Sequence, residues 1–181
     1  MNITVYLGSF YGNDPSYVKK VKELGTWIGK NGHCLVYGGS KNGLMGELAK
    51  AVLDNKGKVI GVEPRFFIER GFVYDDIDEL IVTEDMSERK NKMIELGDAF
   101  IAFPGGTGTL EEISEVMSKV SLRHLKAPCI IYDLDGYYEE LRSLLEKMVK
   151  QGFSSRERLE GISFAKDLAE IASIIEKNGT K

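Results

Sequence analysis

The sequence predicts an α/β fold, a parallel sheet with helices on both faces. Three observations carry this. Short apolar runs alternate with longer amphipathic stretches along the chain. The runs are continuously apolar rather than alternating, as strands covered on both faces should be. Two of the turns that lead from a run into an amphipathic stretch are rich in glycine, at 38–46 and 104–109.

Taken in order, the first strand is predicted over 3–7, from Ile3-Thr4-Val5-Tyr6-Leu7. The loop 8–13 follows, with Gly8 and Ser9 at the carboxyl end of that strand. A helix over 15–30 starts well, because Asp14 caps and Pro15 suits the first helical position. Strand 34–37 runs into Tyr37-Gly38-Gly39-Ser40-Lys41-Asn42-Gly43-Leu44-Met45-Gly46 and a helix over 44–55. Strands are predicted over 58–62 and 79–82, the second followed by a loop at 83–85 and a helix over 87–96. Strand 99–103 leads into Pro104-Gly105-Gly106-Thr107-Gly108-Thr109 and a helix over 110–120. Strand 128–132 and helices over 137–150 and 168–177 complete the pattern, and the irregular stretch 151–161 reads as a surface loop. In such sheets ligands bind beyond the carboxyl ends of the strands, so the loops 8–13, 38–42, 83–85 and 104–107 carry the most interest.

The length of 181 residues fits one domain spanning 1–181. Hydrophobic residues make up 43% and charged residues 29%, an ordinary globular balance, and the net charge of −4 offers no basic footprint for nucleic acid. Cys34 and Cys129 each sit in an apolar run and read as buried free thiols of a reducing compartment. The first residues read as a strand rather than a leader, and no run of eighteen apolar residues predicts a membrane span. His33 and His124 have no metal-ligand spacing and read as structural. No metal is expected.

The strongest chemical signal is the turn at 104–109 opening a helix. Glycines let a backbone approach a ligand closely, and the free N–H groups of a helix start favour an anion such as phosphate. It is neither of two common nucleotide motifs. Gly106-x-Gly108 meets Glu111 where a dinucleotide fingerprint needs its third glycine, and no Gly-x4-Gly-Lys-Ser/Thr occurs. Glu112 has two readings. In Thr109-Leu110-Glu111-Glu112 it completes a capping box that reaches back to the Thr109 N–H, or it is a carboxylate for acid/base chemistry. Gly38 and Gly39 either wrap a ligand or serve packing. Asp85-Met86-Ser87-Glu88-Arg89-Lys90 is either a solvated helix start or the place where Arg89 grips a phosphate or carboxylate. Ile113, Val116, Met117 and Val120 have helical spacing and serve either the core or a subunit interface.

Together these clusters resemble the Lonely Guy (LOG) family, phosphoribohydrolases that release cytokinin bases from riboside 5′-monophosphates. The family's P-G-G-x-G-T-x-x-E pattern stands complete at Pro104, Gly105, Gly106, Gly108, Thr109 and Glu112, and its Arg-Lys pair matches Arg89 and Lys90. The resemblance runs from about Val5 to Phe153, with departures at Ser40, Ser87 and Thr107 that bear on substrate preference. It implies a Rossmann-like fold and cleavage of the N-glycosidic bond of a purine nucleoside 5′-monophosphate, to free base and ribose 5-phosphate. By the same resemblance Arg89 and Glu112 form the catalytic pair. Gly8, Ser9, Gly38, Gly39, Met86, Lys90 and the turn from Pro104 to Thr109, including Thr107, bind substrate. No cofactor is implied. A homodimer in the cytoplasm is expected, with no nucleic-acid or membrane partner. The runner-up is a nucleotide or cofactor carrier on the same fold without hydrolase activity. A lysine decarboxylase would need a Schiff-base lysine, and Lys90 and Lys92 lie on a charged helix.

Overall fold

The structure is a computed structural model that describes residues 1–179. Strands β1 (Asn2–Tyr6), β2 (Cys34–Tyr37), β3 (Lys58–Pro64), β4 (Glu79–Thr83), β5 (Ala99–Ala102), β6 (Cys129–Tyr132) and β7 (Ile162–Ala165) form one sheet. All its pairings are parallel, in the order β4-β3-β2-β1-β5-β6-β7. The helices are α1 (Ser16–Lys30), α2 (Gly43–Asp54), α3 (Arg65–Ile68), α4 (Met86–Leu96), α5 (Thr107–Ser121), α6 (Glu139–Lys150) and α7 (Leu168–Gly179). The α/β fold with helices on both faces is the one the alternating pattern predicts.

Side chains of each strand alternate between two cores. Ile3 and Val5 of β1 pack with Val21, Leu24 and Ile28 of α1, Leu48 and Val52 of α2 and Ile171 of α7. Tyr6 packs on the other face with Met93 of α4, Ile113 and Val116 of α5 and Tyr138 at the start of α6. Burial of each large aliphatic side chain contributes roughly 1.5–3 kcal/mol. Ile113, Val116, Met117 and Val120 are all buried in this second core. That decides their role in favour of the core, since a position filled by the sheet has nothing left to offer a partner. On the first face α1 and α2 come close, because a side chain at Gly25 would meet the Leu48 carbonyl at 2.7 Å.

The Asp14-Pro15 start behaves as its chemistry requires. Asp14 Oδ1 accepts from the Ser16 N–H at 2.8 Å, and Pro15 already has helical backbone angles. Two elements depart from the sequence reading. β7 follows the stretch 151–161 directly and forms an edge of the sheet, and α3 is an added single turn after β3. Cys129 is buried, but Cys34 is only half-buried, because it opens β2 where the strand is still incompletely covered. Burial pushes the Cys129 thiol up to about 12, so it stays protonated at neutral pH. No helix among the described residues is long and apolar enough to cross a membrane.

The winding order of the strands reverses between β1 and β5. The chain winds outward through β2, β3 and β4, then returns to place β5 on the other side of β1. The loops after these two strands therefore diverge and leave a crevice at the carboxyl edge.

Candidate active site

A cavity of about 900 Å³ fills that crevice. Its floor is built from three elements that meet at one guanidinium. Arg89, in the first turn of α4, is 6% exposed. Its Nε donates to the Val62 carbonyl of β3 at 3.0 Å, and one terminal nitrogen donates to Glu112 Oε1 of α5 at 2.5 Å. The other terminal nitrogen lies against Gly38 after β2, where any side chain would collide with it. Gly38 is thus required by the arginine. The N-cap is also specified locally, since Asp85 Oδ1 accepts from the Glu88 N–H at 2.8 Å and aims the first turn of α4.

Glu112 is 8% exposed. Burial raises its pKa, and the Arg89 charge opposes the rise. A buried guanidinium cannot shed its proton, so it holds its counter-charge beside it, and the pair is ionic at neutral pH. The capping-box reading of Glu112 fails. α5 begins at Thr107 with Gly106 as its N-cap, so the capping-box position is Thr109, and Glu112 lies too far into the helix to reach the N-cap N–H.

The start of α5 forms one wall. The first N–H to find a carbonyl one turn back is that of Leu110, bonded to Gly106 at 3.1 Å. By helix geometry the preceding N–H groups of Thr107, Gly108 and Thr109 have no such partner, and they open on the cavity with the positive end of the helix dipole. The turn is held from behind. The Tyr137 hydroxyl donates to the Gly105 carbonyl at 2.6 Å, and the Gly8 N–H donates to the Pro104 carbonyl at 3.3 Å. Tyr138 donates to the Phe103 carbonyl at 2.9 Å.

Of the residues singled out in the sequence, Gly8, Ser9, Gly38, Met86, Arg89 and Glu112 line this one cavity. So do Pro104, Gly105, Gly106, Thr107, Gly108 and Thr109. Two do not. Gly39 turns behind the lining with φ +82, facing the Glu63 side chain. Lys90 points away, because its ammonium is taken by Glu111 at 2.7 Å and Glu115 at 3.5 Å. These ion pairs tie α4 to α5. Arg89, by contrast, is no part of a solvated helix face.

The lining groups that escaped the sequence reading include three from β3 and the segment after it. Phe67 and Phe72 come from the segment after β3, which is stitched to the glycine turn by the Lys41 N–H to Phe72 carbonyl bond at 2.8 Å. The third is Glu63, in β3, 4% exposed and followed by Pro64. The only signal for it was its place at the carboxyl end of a strand. Burial raises its pKa to about 7, with Arg89 opposing and Glu112 reinforcing the rise.

This has a consequence for stability. The folded state prefers the neutral acid, so the contribution is complete below the ordinary value of 4.5 and is lost as pH rises through about 7. The loss is on the order of 3 kcal/mol. Glu63→Gln cannot ionise, so its melting temperature relative to the wild type should rise between pH 5 and pH 8 by roughly 5–10 °C. Calorimetry of both proteins at the two pH values checks this. Parallel pH dependences would contradict it.

A family pattern described as "Possible lysine decarboxylase" matches residues 45–175. A cytokinin riboside 5′-monophosphate phosphoribohydrolase of Rhodococcoides fascians is 38% identical over 168 residues, 92% of this chain and 85% of the relative. The Arabidopsis thaliana phosphoribohydrolase LOG1 is 40% identical over 153 residues, 84% of this chain and 72% of the relative. Among solved structures, the molybdenum cofactor carrier protein of Chlamydomonas reinhardtii superposes with a TM-score of 0.75 at 23% identity, covering 99% of this chain and 98% of that one. The molybdenum cofactor binding protein of Rippkaea orientalis gives 0.71 at 22% identity, covering 99% and 97%. The two structures share the Rossmann-like fold. The sequence relatives go further: with its complete glycine-rich marker at the cavity wall and this identity across most of its length, the chain belongs to the LOG family.

Proposed function

We propose that this protein is a phosphoribohydrolase that cleaves the N-glycosidic bond of a purine nucleoside 5′-monophosphate, giving the free base and ribose 5-phosphate. The observation that carries the reading is the buried Arg89–Glu112 pair one turn inside the start of α5. The unpaired N–H groups of Thr107, Gly108 and Thr109 bind the 5′-phosphate. That places the ribose over Glu112. Arg89 holds Oε1, which leaves Oε2 for the ribose hydroxyls. The carboxylate then stabilises the positive charge that develops at the anomeric carbon as the bond to the base breaks, as carboxylates do in glycoside hydrolysis. Arg89 acts by keeping that carboxylate ionised and fixed. Gly8, Ser9, Gly38 and Met86 shape the remaining walls. Residues 1–181 act as one nucleotide-binding unit that needs no metal or redox cofactor, and AMP or an N6-substituted analogue is its substrate.

We place the enzyme in the cytoplasm as a homodimer. Leu110 on α5, Leu122 just after it and Leu144 on α6 are large exposed apolar residues that support such an interface. Lysine decarboxylation is not supported. It requires a sheltered lysine for a pyridoxal Schiff base, and the lysine lining the cavity, Lys41, is exposed at its rim.

The test is incubation of the purified protein with AMP and with isopentenyladenosine 5′-monophosphate, followed by chromatography. Free base and ribose 5-phosphate are expected, and the ratio of the two rates ranks the substrates. The likeness to cofactor carriers favours a second reading, binding without turnover, and tight AMP binding with no base released would establish it.

A further inference from the structure

Glu63 is unaccounted for by the reaction as described. Glu63 belongs to the cavity lining, yet it is 4% exposed, with one carboxyl oxygen beside Gly39, and among the described residues its carboxyl makes no hydrogen bond or ion pair. A buried carboxyl in that state is costly unless something in the cavity completes it. It is held in place from behind. The turn at Gly39, φ +82, brings that backbone against Glu63, where even a methyl group would meet the Glu63 Cβ at 3.1 Å.

Its position relative to the substrate follows from the sheet order. The phosphate binds at the start of α5, after β5, and the ribose lies over Glu112 one turn further on. β3 stands three strands away in the order β3-β2-β1-β5, about 14 Å at ordinary strand spacing. A nucleotide anchored by its phosphate at β5 and laid across the carboxyl edge therefore directs its base toward β2 and β3. Glu112 and Glu63 both feel the Arg89 charge, and the sheet order puts Glu63 on the β3 side of it.

Resting on the phosphoribohydrolase reading, we propose that Glu63 is the general acid of the reaction, delivering a proton to the departing purine. The bond between the anomeric carbon and the base nitrogen breaks, and its electron pair goes to the base. The Glu63 proton moves to a ring nitrogen, so the base leaves neutral. Water adds to the anomeric carbon and gives up a proton to Glu112, which passes it to solvent, and solvent reprotonates Glu63. The sum is nucleotide and water giving base and ribose 5-phosphate. The two carboxyls divide the work by their surroundings. Glu112 has a guanidinium on its own oxygen and stays ionised. Glu63 has none and keeps its proton near neutral pH. The charged groups acting on Glu63 are Arg89 of α4 and Glu112 of α5, and Glu63 in turn raises the buried phenol of Tyr37 on β2.

The test compares AMP with p-nitrophenyl ribofuranoside 5-phosphate, whose nitrophenolate departs without a proton. Glu63→Gln is expected to lose about 10²-fold or more in kcat on AMP and little on the nitrophenyl substrate. In the wild type, kcat on AMP should fall as pH rises through about 7, with no such limb for the nitrophenyl substrate. This second measurement stands whether or not the variant folds. Equal losses on both substrates, unchanged AMP turnover in the variant, or the same pH limb on both substrates would each overturn the general acid and leave the hydrolase reading intact. A wild type that releases no base from AMP sinks the hydrolase reading itself.

Discussion

Replacing Glu112 by glutamine is expected to lower kcat for AMP hydrolysis by about a thousandfold or more. The amide matches the carboxylate in shape but carries no charge to oppose the cation forming at the anomeric carbon. It also strands Arg89, which is 6% exposed and has Glu112 as its ion-pair partner. Leaving such a charge unpaired costs about 3–5 kcal/mol, so the variant's melting temperature must be measured beside its rate. The two effects separate through binding. On the proposed reading the phosphate is held by the N–H groups at the start of α5, so calorimetry should still detect AMP in a folded Glu112→Gln protein. A folded variant with near-normal kcat would remove Glu112 from the reaction. A folded variant that no longer binds AMP would make it a binding residue instead.

The paired substitution Gly106→Ala, Gly108→Ala should raise KM for the nucleotide by roughly 10–100-fold while leaving the fold as stable as before. Neither position needs glycine for the protein's own sake. Neither has a positive φ, and a methyl group at either would meet nothing within 4 Å. Gly108 even lies inside α5, where alanine is the better helix former by up to about 1 kcal/mol. On the proposed reading, the space these glycines leave open takes the phosphate. Methyl groups there would hold it off the N–H groups, and losing the equivalent of one charge-assisted hydrogen bond, about 1.5–3 kcal/mol, gives roughly the stated range. Gly105 is a different case, since a side chain there collides with Thr109 and should unfold the turn. Unchanged KM in the double variant would move the phosphate elsewhere.

Much of this site was readable in the sequence, because its parts sit in local patterns. The turn at 104–109 and the Arg89 segment each join an apolar run to an amphipathic stretch, and both reach the cavity. Where sequence reasoning stopped, the missing information was tertiary. Thr109-Leu110-Glu111-Glu112 satisfies a capping box perfectly well on paper. Only the helix start two residues before Thr109, and an arginine twenty-three positions upstream, decide otherwise. Lys90 looked equal to its neighbour Arg89, but one residue of helix rotation turns it toward Glu111 and Glu115. Glu63 closes a strand beside Pro64 and reads as a terminus, with nothing local to say that the strand end is roofed over. β7 was missed because an edge strand is half-exposed, and Ile162-Ser163-Phe164-Ala165 lacks the continuous apolar character of its neighbours.

The placement of β5 beside β1 also governs how the molecule comes into being. Thr4 of β1 pairs with Phe100 of β5, so the central seam of the sheet joins segments nearly a hundred positions apart. Closing so large a loop is slow compared with forming a helix or a neighbouring βαβ unit. During synthesis the ribosome delivers β1 through β4 first, and until Ala99–Ala102 emerges one side of β1 has no neighbour. A nascent chain at that stage has Arg89 but not Glu112, and an unpaired central strand but not its cover. It is then both inert and open to pairing with another chain. The seam that creates the crevice therefore ties competence for catalysis to the joining of two segments far apart in the chain.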